Sequence, residues 1–527
     1  MFDTAFGAVN AALAGHHVTA ARIAIVGSGI GGLAAAVRLA SAGLAVTVYE
    51  RAARPGGKLR EIDVGGAQID SGPTVFTMRD VLDELFDEAG ASFADAVTLR
   101  PLDVLARHVW TGGRGFDLFA DPSRSADAIG DFAGRQEAKG YLAFAERARR
   151  IFETLERSYI RSPRPTLPDL VVRVGAHRFG ALAGISPFTT LWRALGEHFA
   201  DPRLRQLFAR YATYCGSSPF LAPATLMLVS HVERQGVWAV EGGMYRIVEA
   251  LVRLAESLGV RFHYGAEVRE IRADRAGATG LVLASREVVE ADAVVANADV
   301  GTFAAGLFGP AVARAAPPVA AKDRSLSALT WSLVAETEGV APAHHTVFFS
   351  DDYEAEFDAI RGGRPPADPT VYVCAPDRGS DGAPSGPERL FCIVNAPANG
   401  DRSPIDATEA SSCETRTFRR LERCGLTVRH RPESSVVTTP SDFAHLFPGT
   451  GGALYGRASH GWTASFQRPG SRSRIPRLYL AGGSTHPGPG VPMAAISGIL
   501  AAESLVSDLA STSTSRRAGT RGGMSMR

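Results

Sequence analysis

The chain has 527 residues, with 56 Lys and Arg against 55 Asp and Glu and a formal net charge of +1. That length exceeds one compact core, so two or three domains are expected. Near-neutrality argues against nucleic acid or another polyanion as partner. The five cysteines (Cys215, Cys374, Cys392, Cys413 and Cys424) are scattered without a C-x-x-C spacing. They read as reduced thiols in a cytosolic compartment, not as a disulfide framework or metal site.

In chain order, Met1 to Ala20 has an apolar middle, but Asp3 stands where a signal peptide would be basic. It reads as a disordered lead-in or a short amphipathic helix. Arg22 to Gly57 then carries the strongest pattern. Ile23 to Val26 suits a buried parallel strand. Gly27, Gly29 and Gly32 follow at the spacing of a dinucleotide-binding turn. Gly27 makes the tight turn, Gly29 lets a pyrophosphate approach the backbone, and Gly32 lets the helix pack on the strand. Free N–H groups at the helix start would hold phosphate charge. Val46 to Val48 is the next strand, and Glu50 at its end can accept hydrogen bonds from ribose hydroxyls, which disfavours NADP. Arg54-Pro-Gly-Gly57-Lys58 resembles the second glycine pair of FAD enzymes of the glutathione-reductase and amine-oxidase class.

Glu61 to Val75 reads as a hairpin with a Gly-Gly turn. Then comes Asp70-Ser-Gly72-Pro73-Thr74, either a rigid loop returning to the glycine-rich site or a plain connection. Arg79 to Ala89 is helical. From Pro101 to Ala239 the βαβ rhythm is lost. Phe116 to Phe119 reads as a strand, and Tyr141 to Ile160 as an amphipathic helix. Leu170 to Phe199 is apolar, including Phe179, Leu182, Ile185 and Phe188, and is fringed by Arg173, His177, Arg178 and Arg193. It suits a membrane interface or a cap over an apolar cavity. A helix over Tyr245 to Leu258 stops at Gly259, and a strand around Val268 follows. Ala293 to Asn297 is a second buried parallel strand. Strands near Leu326, Thr346, Thr370 and Leu390 alternate like an antiparallel sheet. His344-His345 offers no metal site on this reading, because adjacent strand residues face opposite ways. Leu478 to Ala481 is a third parallel strand, followed by a loop of glycines and prolines and a helix over Ala494 to Leu509. No apolar run reaches the ~18 residues of a membrane span. Ser511 to Arg527 reads as disordered.

The expected class is α/β, a Rossmann-like FAD-binding domain with an inserted α+β substrate domain. The FAD-binding parts are 21–105, 239–300 and 448–510. A helical substrate or membrane-facing insertion covers 106–238, an antiparallel-sheet substrate domain 301–447, and a disordered tail 511–527.

These motifs together resemble bacterial phytoene-desaturase-type carotenoid desaturases: the Gly27-to-Gly57 fingerprint, Asp70-Ser-Gly-Pro-Thr-Val75, Glu241-Gly-Gly-Met244, Ala291 to Asn297, and Thr485-His-Pro-Gly488. His460 to Phe466 and Gly482 to Ala494 are most similar to the hydroxyneurosporene or methoxyneurosporene desaturase branch of purple phototrophs. The resemblance implies FAD as cofactor and 3,4-desaturation of a 1-hydroxycarotenoid. A hydride goes to the flavin and a proton leaves the neighbouring carbon. It extends the cofactor-binding candidates, Gly27, Gly29, Gly32, Glu50 and Gly57, to Lys58, Pro73, Thr74, Val268, Gly483, Val491, Pro492 and Met493. His486, from its place in the glycine loop, is a candidate proton relay or flavin contact, or a brace of that loop. A carotenoid substrate implies peripheral attachment to the cytoplasmic face of the inner membrane. The terminal electron acceptor stays open between oxygen and a quinone. Rival readings are a phytoene desaturase, a carotenoid isomerase or saturase, a flavin amine oxidase, and a non-catalytic isoprenoid-binding escort protein.

Overall fold

A computed structural model describes residues 21–174, 188–378, 384 and 386–520. The lead-in Met1 to Ala20 lies outside the described residues. So do His177, Arg178, Phe179, Leu182 and Ile185, most of the Gly379–Gly386 loop, and the last seven positions.

Five strands form a parallel sheet in the order Leu478–Leu480, Ala293–Ala296, Arg22–Val26, Ala45–Tyr49 and Arg261–His263. The chain leaves this sheet and returns to it twice, as the three apolar runs imply. Ile23 to Val26 is buried, as a central strand covered on both faces must be. The helix Ile30–Ser41 that follows is buried from Ile30 through Leu39. A helix this apolar belongs inside a core, its one charge, Arg38, being paired with Glu88 and Glu503, and the final helix, Val491–Thr520, packs against it. The two cross on glycine. A Cβ on Gly498 would lie 2.0 Å from the Gly31 carbonyl oxygen.

That final helix departs from expectation in two ways. It continues to Thr520, so the segment expected to be disordered from 511 begins as helix. Its Val491–Ser511 stretch is also apolar and long enough to cross a bilayer, but 56% of the most apolar window is buried within the fold. Small residues interleaved with polar ones kept this length from showing as one apolar run.

An eight-stranded mixed sheet forms the second domain. Its longest strand, Ser327–Gly339, pairs antiparallel with Glu388–Ala396. Val104–Val109 joins His345–Phe348 in parallel and hairpins with Gly115–Phe119. The sheet therefore takes two strands from the first half of the chain, and the boundary expected at 105/106 falls inside a strand. Arg107 and His108 hide that strand's alternation. Arg107 forms a salt bridge with Asp117 across the hairpin at 2.7 Å, and His108 is buried. The helices between these strands and Trp238 pack through aromatic rings, Phe144 lying on Phe199 and Phe208.

His486 ties the two domains together. It is 1% exposed, and its Nε2 lies 2.9 Å from the carbonyl oxygens of both Tyr159 and Ser162. Tyr159 belongs to the π-turn Glu156–Ile160, where the helix Arg135–Leu155 ends. The bonded nitrogen of His486 thus serves backbone carbonyls, while its Nδ1 is buried without a partner. Burial pushes its pKa from 6.5 down to about 4, so it is neutral at physiological pH. The unfolded chain protonates this residue near 6.5 and the folded chain only near 4. Its stabilising effect is therefore complete above pH 6.5 and lost as pH falls toward 4. Denaturant unfolding of wild type and His486→Gln should show the wild type losing about 2–3 kcal/mol more between pH 7 and pH 4.5. Parallel profiles would contradict this.

Candidate functional site

The glycine-rich turn is organised around Asn297. Gly27 has a φ of +91°, and its N–H donates to the Tyr49 carbonyl. A Cβ on Gly27 would meet the Asn297 carbonyl oxygen at 2.7 Å, and one on Gly29 would meet Asn297 Nδ2 at 2.8 Å. Gly32 behaves as its spacing implies: a Cβ there would sit 2.2 Å from the Gly27 carbonyl oxygen, so it closes helix on strand. Asn297 thus leaves no room for a side chain at Gly29, and the bare backbone there lines the cavity. The second glycine pair lies against the first. Gly56 N–H donates to Ser28, Gly29 and Gly56 form a parallel bridge, and a Cβ on Gly57 would come within 3.3 Å of Gly29 Cα.

The helix starting at Ile30 has Gly29 as N-cap, no capping side chain and no acid in its first turn. The helix starting at Val491 likewise has no acid in its first turn. Because these helices cross at Gly31 and Gly498, both N-termini reach the same space. Their unpaired N–H groups and dipoles favour an anion there. Glu50 ends the second strand, as its spacing implies, and is buried. Its carboxylate accepts from Ser28 N–H at 2.8 Å, Ser28 Oγ at 2.9 Å and Ala52 N–H at 2.8 Å. Glu50 thus shapes the turn as well as facing the space beside it.

A cavity of 640 Å³ runs from this turn to the eight-stranded sheet. Its wall takes in Gly27, Gly29, Glu50, Gly57, Lys58, Pro73, Thr74, Val268, Gly483 and Val491. Gly32, Pro492, Met493 and His486 lie off it, and Met493 packs against the nucleotide-domain core instead. Lys58 Nζ donates to the Leu454 carbonyl at 2.6 Å and stands 4.0 Å from Asp299, whose buried Oδ2 has no hydrogen-bond partner. Burial pushes the Lys58 pKa down.

The far end of the cavity holds residues that carry no motif. Arg210 and Tyr214 line it from the helical layer, and Tyr353 and Tyr372 from the sheet domain. Arg210 bonds Glu233 at 3.0 Å, Tyr214 Oη at 2.6 Å and His108 Nε2 at 3.2 Å. Such a buried ion pair is tolerated only with full hydrogen bonding of this kind. Burial pushes the Tyr214, Tyr353 and Tyr372 hydroxyls well up, so they stay protonated. Tyr372 Oη reaches Thr74 Oγ1 at 2.7 Å, joining the sheet domain to the Asp70–Thr74 loop. That loop is therefore no plain connection: Asp70 accepts from Met244 and Tyr245 N–H, and Thr74 lines the cavity. His344 and His345 also depart from the strand rule. His344 precedes the strand, and its ring turns back to 4.6 Å from that of His345.

The residues fit FAD. Two helix starts with no acid in their first turns suit a diphosphate, a buried carboxylate suits ribose hydroxyls, and the cavity wall also takes in Val268 and Thr74. Comparison with known proteins agrees. Residues 30–506 match the flavin-containing amine oxidoreductase family. The chain is 54% identical over 509 residues to a hydroxyneurosporene desaturase of Rubrivivax gelatinosus, covering 96% of this chain and 97% of that one. It is 43% identical over 498 residues to a hydroxyneurosporene desaturase of Cereibacter sphaeroides, covering 93% and 99%. Among solved structures, wild-type putrescine oxidase bound to putrescine superposes with a TM-score of 0.54 at 16% identity, covering 94% and 99%, and so shares the fold. The chain belongs to the flavin-containing amine oxidoreductase family, within its carotenoid-desaturase group, and its cofactor is FAD.

Proposed function

We propose that the chain is an FAD-dependent desaturase that forms the 3,4 double bond of a 1-hydroxycarotenoid. The observation that carries this reading is the single cavity that joins the glycine turn to an end with neutral tyrosine hydroxyls and an internally compensated cation. The relatives named hydroxyneurosporene desaturases support the substrate class. Bound FAD supplies a two-electron acceptor for a hydride from an allylic C–H.

The chain's residues bind, orient and keep water out. The starts of the helices at Ile30 and Val491 would hold the diphosphate, with Gly27, Gly29 and Gly57 giving close backbone approach. Glu50 would hold the ribose hydroxyls, the Val268 backbone the adenine, and Lys58, Pro73, Thr74, Gly483 and Val491 the remainder. At the substrate end, positive charge developing on the polyene would be opposed by an unpaired cation. Arg210 is instead neutralised by Glu233 at 3.0 Å. Tyr214, Tyr353 and Tyr372 remain hydroxyls that can bond the substrate's own hydroxyl without adding charge.

Membrane contact follows from an apolar substrate. Phe188 is 78% exposed and meets Trp462, itself 42% exposed, edge to face at 5.3 Å. Leu221 adjoins them through the Gly461 N–H bond to its carbonyl. This cluster, with Arg193 nearby in sequence, suits peripheral docking on an anionic bilayer from the cytoplasmic side.

Incubation of the flavin-loaded, lipid-reconstituted protein with 1-hydroxyneurosporene and separately with phytoene tests the reaction. Gain of one double bond by the hydroxylated substrate alone, read by mass and absorption, is expected. Turnover of phytoene instead would overturn the regiochemistry. In vesicle flotation, Phe188→Ser with Trp462→Ser should weaken binding at least about tenfold, the loss of burying two aromatic side chains. Unchanged partition would remove this patch as the docking surface.

A further inference from the structure

A second set of donor atoms lies behind the cavity wall. His345 opens the strand His345–Phe348 and pairs with Cys374 at the end of Val371–Cys374. The register places the two side chains on one face of the sheet. His344 sits at the corner just before, fixed by its carbonyl accepting from Ala375 N–H at 2.9 Å. There its ring stands nearly perpendicular to that of His345. One nitrogen from each ring and Cys374 Sγ all lie within 4.8 Å of one another.

The hydrogen bonds of these groups leave a specific deficit. His345 Nδ1 is 2.7 Å from Tyr372 Oη, while its Nε2 is buried without a partner. The His344 ring bonds the backbone of Arg378, while its Nδ1 is buried without a partner. A buried polar atom left unpaired costs about 1–3 kcal/mol, and each of these two rings carries one. Each imidazole has one nitrogen anchored and the other open, which is how metal-bound histidines are held. His344 is only partly buried.

We propose that His344, His345 and Cys374 form a binding site for a zinc-class divalent cation. Two nitrogens and a sulfur, with no carboxylate among them, select such a cation over magnesium or calcium. Tetrahedral bonds of about 2.0 Å to nitrogen and about 2.3 Å to sulfur put the donors about 3.3–3.5 Å apart, so they must close by up to about 1.5 Å. Binding forms the two Zn–N bonds and the Zn–S bond, releases the thiol proton to solvent, and leaves a fourth position for water. Occupation of His345 Nε2 places the ring proton on Nδ1, which then donates to Tyr372 Oη. Tyr372 in turn donates to Thr74 Oγ1 on the cavity wall, 2.7 Å away. The cation would thereby set the direction of a hydrogen-bond chain that ends at the cavity. This site stands whether or not the substrate is a 1-hydroxycarotenoid.

Tag-free, flavin-loaded protein titrated with zinc against a chromophoric chelator of micromolar affinity tests the site. Zinc-edge X-ray absorption of the same sample identifies the ligands. One zinc per chain is expected, with one sulfur neighbour at about 2.3 Å and nitrogens at about 2.0 Å. Cys374→Ser and His344→Ala should each weaken binding at least tenfold with flavin content unchanged. Failure to compete with the chelator, a spectrum without sulfur, or variants that bind as tightly as wild type would each overturn the proposal.

Discussion

The structure depends on how closely backbone can approach backbone around Asn297. A Cβ at Gly27, Gly29, Gly31, Gly32 or Gly482 would collide with that one side chain or its carbonyl. Gly498 in turn would collide with Gly31. Because none of these positions has a side chain, the first and last helices cross with their N-termini side by side. Two positive helix ends then share one space, roughly doubling the attraction that a single helix start offers an anion. The same closeness draws the last strand against Ala293–Ala296, so the C-terminal return of the chain completes the site.

The second domain is attached by polar bonds placed at the seam. His486 reaches the carbonyls of Tyr159 and Ser162, and Tyr372 reaches Thr74. Charges at the substrate end are likewise local. Glu233 takes up Arg210, and the three nearby tyrosines stay neutral. The substrate end built this way has polar groups to orient a hydroxylated end, and its Arg210 is paired with Glu233.

The nucleotide-binding half was legible because its physics is local. Gly27, Gly32 and Glu50 each follow from a turn, a helix contact or a strand end within a stretch of about thirty residues, the length of one βαβ unit. The glycine-proline loop before the last helix was legible for the same reason. The substrate end was not. Arg210, Glu233, Tyr353 and Tyr372 come from separate helices and strands, and nothing in their neighbours marks them. Asn297 was seen as a strand end but not as the residue all the glycines surround. Pro492 and Met493 lie in the first turn of the last helix and His486 in the loop before it, and none of the three lines the cavity. The strand Val104–Val109 was missed because its polar residues are buried by partners elsewhere in the chain. His344 and His345 defeated a rule that holds only inside a strand, since one of them lies before it.

We propose that one continuous site holds a whole dinucleotide, with the adenine half at Glu50 and Val268. Release of the flavin from purified protein by denaturation, followed by chromatographic identification, tests it most directly. The account predicts one FAD per chain, released without covalent cleavage. Stoichiometric FMN would leave the adenine half of the site without a role, and absence of any flavin would contradict the assignment of the cavity altogether.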